Sequence, residues 1–165
     1  MVTSLQEIHE IATGKEEENT VFRSFLQQQD GDKIDGIVGQ LNHTVSAQID
    51  CTVCGNCCKS LMINVTEEEA DRLAAHLQQT RENFDENYLE KSEGGRMLMN
   101  TIPCNFLSDN KCTVYLHRFA GCREFPGLHL PQFNKRLFTI FMHYERCPII
   151  FNVVEQLKID LNFTE

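Results

Sequence analysis

The sequence has no tryptophan, three tyrosines and four prolines in 165 residues. No apolar run approaches the ~20 residues that a helix needs to cross a bilayer. Met1 to Lys15 also lacks the basic start and apolar block of a secretory leader. These absences predict a soluble, cytoplasmic chain in a reducing compartment, with no membrane partner. Basic residues are scarce as well: 15 Lys and Arg stand against 24 Asp and Glu, for a net charge of −9. Nucleic-acid binders need a basic stripe to neutralise phosphates, so no nucleic-acid partner is expected. Neither Gly94-Gly95 nor Gly36 with Gly39 forms a phosphate loop, which leaves a nucleotide cofactor without support.

What the chain does have is eight cysteines, four of them within Cys51-Thr52-Val53-Cys54-Gly55-Asn56-Cys57-Cys58 and four more at Cys104, Cys112, Cys122 and Cys147. A two-residue gap lets one turn of chain aim two sulfurs at one ion, and Gly55 lets the backbone curl beneath it. Neighbouring side chains diverge, so Cys57 and Cys58 are expected to serve two metals, or one metal and a free thiol. Four disulfides would use the cysteines in a secreted protein. Without a leader, the adjacent pair and the two-residue gaps favour ligation, and the Asn-x-Thr sequences at Asn42, Asn64 and Asn162 become incidental.

Charge is unevenly spread. Residues 1–100 hold 18 acidic and 8 basic side chains, whereas 101–165 hold 6 and 7. Lys59, Lys111, Arg118, Arg123 and Arg146 lie close to cysteines in sequence. Cations there lower thiol pKa values and offset thiolate charge.

Residues 1–48 read as a helical preface carrying no chemical motif, suited to packing or to a protein partner. Leu5, Ile8 and Ile11 share one face, with Ser4 and Glu7 as a capping pattern. Val21, Phe22, Phe25 and Leu26 form a second stripe, closed by a turn at Asp30-Gly31, and Ile34, Ile37, Val38, Leu41 and Val45 form a third. After the cluster, Leu61–Val65 predicts a strand, Thr66 with Glu69 caps a helix through Leu77, Glu82–Lys91 a short helix and Arg96–Ile102 a strand. Cys104 and Cys112 fall on the arms of a predicted hairpin turning at Ser108–Lys111, and Pro126-Gly127 marks another turn. Pro148 suits the first turn of a helix, which puts Cys147 at its N-cap. Eleven phenylalanines are expected to fill the core. The fold class is therefore α+β, mostly helical: a small metal-stapled domain over 49–165, with a short hairpin, behind the 1–48 helices.

The cluster Cys51-x2-Cys54-Gly-x-Cys57-Cys58, followed by Pro103-Cys104-x-Phe106-Leu107, Asp109-x2-Cys112-x-Val114-Tyr115 and Cys122-Arg123-x-Phe125-Pro126, resembles the YkgJ-type cysteine-cluster family (CxxCxxCC). The resemblance covers about residues 51–126, or to Cys147 with the final cysteine included. It implies a zinc- or iron-chelating domain and no particular reaction. Such proteins carry Arg-Pro ahead of the Cys-Arg segment, whereas here Phe119 follows Arg118; no candidate ligand is lost.

The leading expectation is a metal-binding protein whose eight cysteines hold zinc in two closed four-thiolate sites. An iron–sulfur protein is the alternative, since Cys51-x2-Cys54-x2-Cys57 with a remote Cys147-Pro148 is similar to a ferredoxin cluster run. A reactive-cysteine enzyme would need a base, for which His117, His129 and His143 are the nearby candidates; they serve equally as substitute ligands. No catalytic residue is assigned.

Overall fold

A computed structural model describes residues 1–164. In chain order come α1 (Leu5–Thr13), α2 (Glu16–Gln27), α3 (Gly31–Ser46), the single turns α4 (Cys51–Cys54) and α5 (Asn56–Ser60), and β1 (Asn64–Val65). There follow α6 (Glu67–His76), α7 (Arg81–Tyr88), β2 (Leu89–Lys91), β3 (Met97–Met99), β4 (Leu107–Ser108) and β5 (Lys111–Cys112). The chain closes with α8 (Ala120–Glu124), α9 (Leu137–Met142) and α10 (Pro148–Asp160). The fold is 57% helical with a few short antiparallel strands, a small α+β protein as the periodicities predict.

Short polar side chains start most of the longer helices. Asp30 Oδ1 accepts from the Lys33 amide at 2.8 Å and Thr80 Oγ1 from the Asn83 amide at 3.2 Å. At α6 the exchange is reciprocal: Thr66 Oγ1 accepts from the Glu69 amide at 3.2 Å, while the Thr66 amide donates to Glu69 Oε2 at 3.1 Å. Each such cap is worth about 0.5–2 kcal/mol. Asp30 therefore opens α3, where a turn closing the preceding helix was expected.

Two compact units are present, Met1–Asp50 with Pro126–Glu165, and Cys51–Phe125. In the first, α10 packs on α3 and α1. The reason is visible along α10, where Ile149, Ile150, Phe151, Val153, Val154 and Leu157 are all buried, too wide an apolar surface for one neighbour. Buried Ile8 of α1 and Ile34 and Val38 of α3 supply the facing stripes. Helix α10 thus shares a core with the helices of the preface. Within that core Lys158 is 5% exposed, and its Nζ donates to Glu155 Oε1 at 2.7 Å, Glu18 Oε1 at 2.8 Å and Asn19 Oδ1 at 2.7 Å. Tyr144 donates its hydroxyl to Glu155 at 2.7 Å, so the buried cation has partners and its acceptors are shared.

In the second unit, β1, β3 and β2 form an antiparallel sheet in that order, with Val65 opposite Met97 and Leu89 opposite Met99. Their buried side chains pack with Ala70, Leu73 and Phe84, and a fully buried large side chain contributes about 1.5–3 kcal/mol. Arg81 clasps α6 to α7 through Asp71 at 2.7 Å and Asp85 at 2.6 Å, and through Glu67. The β4–β5 hairpin pairs Leu107 with Cys112. Asp109 and Asn110 both have positive φ, 48° and 63°, the backbone of a tight two-residue hairpin turn. The strands are shorter than the apolar runs suggested, and the stretch read as helix through Lys91 turns into β2 at Leu89.

Candidate metal centre

Cys51 and Cys54 bracket the one-turn helix α4, whose last bond runs from the Gly55 amide to the Cys51 carbonyl at 3.2 Å. Gly55 then takes a left-handed φ of 59°, a conformation glycine adopts without the Cβ penalty, and α5 follows with Cys57 and Cys58. The bend at Gly55 lies against Asn110 in the turn of the hairpin, and α4 packs on β5, the strand that ends in Cys112. A second tie comes from the adjacent pair: the Cys104 amide donates to the Cys58 carbonyl at 2.8 Å. Cys122 sits in α8, its amide on the Phe119 carbonyl at 3.1 Å. Cys104, Cys112 and Cys122 are half-buried against the apolar core of their unit.

The thiols feel one another. Cys57 is held below the ordinary thiol range, first by a hydrogen bond from the Cys58 thiol and then by backbone amides and the charge of Arg118, all working against burial. Cys58 moves the other way, because it donates that bond and is buried beside Cys57, Cys104 and Cys112. That bond favours the thiolate at Cys57 over one at Cys58. Burial first, and then the charges of Cys112 and Cys57, push Cys104 up, while a Phe106 amide pulls against them. Burial and the charges of Cys104, Cys57 and Cys112 push Cys122 up to about 11. The sulfurs of Cys57, Cys104 and Cys112 are thus close enough to oppose ionisation of thiols on other stretches of chain. A thiophilic cation relieves that repulsion, so the donor set fits zinc or iron. Arg118 is the cation whose charge favours the Cys57 thiolate, and its guanidinium carbon lies 3.9 Å from the centre of the Tyr115 ring.

Of the eight predicted ligands, Cys57, Cys58, Cys104, Cys112 and Cys122 interact electrostatically. Cys51 is exposed and Cys54 half-buried on α4. Cys147 belongs to the other unit, buried at the N-cap of α10 with Pro148 next to it, as the Cys-Pro pair predicts. Among the described residues, no group of three or more His, Cys, Asp or Glu side chains is arranged to hold a metal as it stands. His117 stacks on His76 with ring centres 3.7 Å apart. His143 is buried, and burial followed by the charge of Arg146 lowers its pKa. One supporting residue escapes sequence reasoning. Glu69, visible as half of a capping box, also accepts the Ala120 amide at 2.6 Å, a contact that local spacing does not announce.

The order and spacing of these cysteines match the CxxCxxCC family, described as a putative zinc- or iron-chelating domain, over residues 50–147. The chain belongs to that family. No curated protein and no solved structure matches it. A metal-binding role follows from the family; its description leaves zinc and iron open.

Proposed function

We propose that this protein chelates zinc through its cysteine thiolates, and that Cys51, Cys54, Cys57, Cys58, Cys104, Cys112, Cys122 and Cys147 are the ligands, shared between two sites. The observation that carries the reading is the opposition that neighbouring sulfurs offer to ionisation of Cys58, Cys104 and Cys122, which a bound cation would remove. Four thiolates make a closed zinc site with no position left for a substrate, which suits a structural or storage role better than catalysis. Binding would order the chain around the sulfurs, because thiolate sites couple metal affinity to folding. The Cys51-x2-Cys54-x2-Cys57 run supports a second reading, an iron–sulfur cluster.

No helix among the described residues is long and apolar enough to cross a membrane. The cytoplasm, where thiols stay reduced, is the compartment this chemistry calls for. Elemental analysis and an absorption spectrum of protein purified without air separate the readings. Zinc gives about two equivalents and a colourless sample, whereas a visible band with acid-labile sulfide establishes the cluster. Four disulfides and no metal in freshly lysed cells would overturn both.

A further inference from the structure

We propose that Glu69 is a positioning residue for Cys122, holding the helix that carries this thiol in its place beside the other cysteines. The claim rests on the metal-site reading and extends it to a residue with no sulfur. Glu69 is a buried carboxylate, 6% exposed, and its two oxygens have separate duties. Oε2 accepts the Thr66 amide at 3.1 Å and closes the capping box of α6. Oε1 accepts the Ala120 amide at 2.6 Å, across 51 residues of sequence.

Ala120 is the first residue of α8, and Phe119 before it provides no side-chain cap. Five residues of helix have little cohesion of their own. Here the Cys122 and Arg123 amides both fall on the single Phe119 carbonyl at 3.1 Å. The carboxylate on α6 supplies the missing cap, and a charge-assisted bond to an amide fixes direction as well as distance. Cys122 lies two residues beyond that bond, so the register of α6 is passed to the thiol through one hydrogen bond. The remaining approach of Arg72 to Glu69 Oε1, 3.9 Å with an exposed side chain, is too long to compete with the amide.

The test uses the full chain and two variants that cost α6 a similar capping bond. Glu69→Ala removes both bonds, whereas Thr66→Ala removes the α6 cap and leaves the Ala120 bond in place. The first readout is the alkylation rate of Cys122 in metal-free protein, measured by mass spectrometry against Cys147 in the same molecules. The second is zinc affinity by competition with a chelator. Glu69→Ala is expected to speed Cys122 labelling several-fold and to weaken zinc binding by about 10- to 100-fold, the usual cost of losing a group that orients a ligand. Glu69→Gln, with a single carbonyl oxygen for two amides, should fall between. Thr66→Ala should leave both readouts near the parent. Equal labelling of Cys122 in Glu69→Ala and the parent would overturn the proposal, as would an equal effect of Thr66→Ala. Should Glu69→Ala not fold, amide exchange in the parent decides: slow exchange at Ala120 supports the bond and loop-like exchange removes it. A parent chain that binds no metal would sink the metal reading, and the labelling comparison would still judge Glu69.

Discussion

A β-carbon on Gly55 would stand 2.8 Å from the carbonyl oxygen of Asn110. The contact joins the bend between the two cysteine-bearing turns to the tip of the hairpin that ends in Cys112. Because the opposing atom is backbone, no side-chain rotation can relieve it.

Gly55→Ala should therefore destabilise the chain by about 1–2 kcal/mol from the left-handed φ alone, with the clash added to that. Zinc affinity should fall in parallel, since the hairpin has to retreat from the cluster. Chemical denaturation and chelator competition report the two effects. Asn110→Ala should not rescue the variant, because the offending oxygen remains; rescue would show that the side chain was the obstacle.

Lys158 is the buried cation of the helical core, bonded to Glu18, Glu155 and Asn19. Lys158→Met keeps most of the stem volume and strands two partly buried carboxylates. Breaking such a pair from one side costs about 3–5 kcal/mol, and Lys15, 2.9 Å from Glu18 and 2.8 Å from Glu155, should hold the loss near the lower figure. A urea midpoint equal to that of the parent chain would refute this account.

The same core sets an acid limit. Burial alone would push the Glu155 carboxyl up, but hydrogen bonds from Lys15, Lys158 and Tyr144 outweigh it and hold it below its ordinary value. Glu18 is lowered in the same way by Lys158 and Lys15, against burial. With folded-state values depressed, the unfolded chain binds more protons in the window between the two states. The stabilisation is therefore complete above the ordinary glutamate value of 4.5 and is lost as pH falls through the folded values. Urea midpoints measured on acidification should show that fall in the parent chain and a shallower one in Lys158→Met. Parallel acid limbs would exclude these carboxylates as the cause.

The charge of Cys112 adds to the cost of ionising Cys104, so the two are expected to share one site. Serine at either position should weaken zinc binding, and the double substitution should lose less than the sum, with a coupling of about 0.5–3 kcal/mol. Strict additivity in the chelator titration would assign them to different metals.

Features written in adjacent residues were legible in the sequence. The Thr66 and Glu69 box, the turn at Asp109-Asn110 and the Cys147-Pro148 helix start each depend on a few neighbouring side chains, and each forms as the residue types predict. Long-range choices were not legible. The apolar run from Ile149 could have covered either half of the chain, and only the fit of its broad surface to α1 and α3 decides the matter. Phe138 follows the apolar pattern yet is 72% exposed, because a six-residue helix buries Leu137 and Ile140 and turns the next ring outward. The candidate cysteine ligands were named from spacing, whereas the second oxygen of Glu69 reaches a partner that no spacing rule connects to it.

The hydrogen bond from the Cys104 amide to the Cys58 carbonyl carries a consequence for biosynthesis. Chains leave the ribosome N-terminus first, at about 5–20 residues per second. Cys51, Cys54, Cys57 and Cys58 therefore emerge several seconds before the segment that pins them. During that interval the nascent chain presents four thiols without their later neighbours, and only a reducing surrounding would keep them from pairing with each other. A nascent chain that has emerged past Cys58 but not as far as Cys104 displays the first half of the cluster and none of the second.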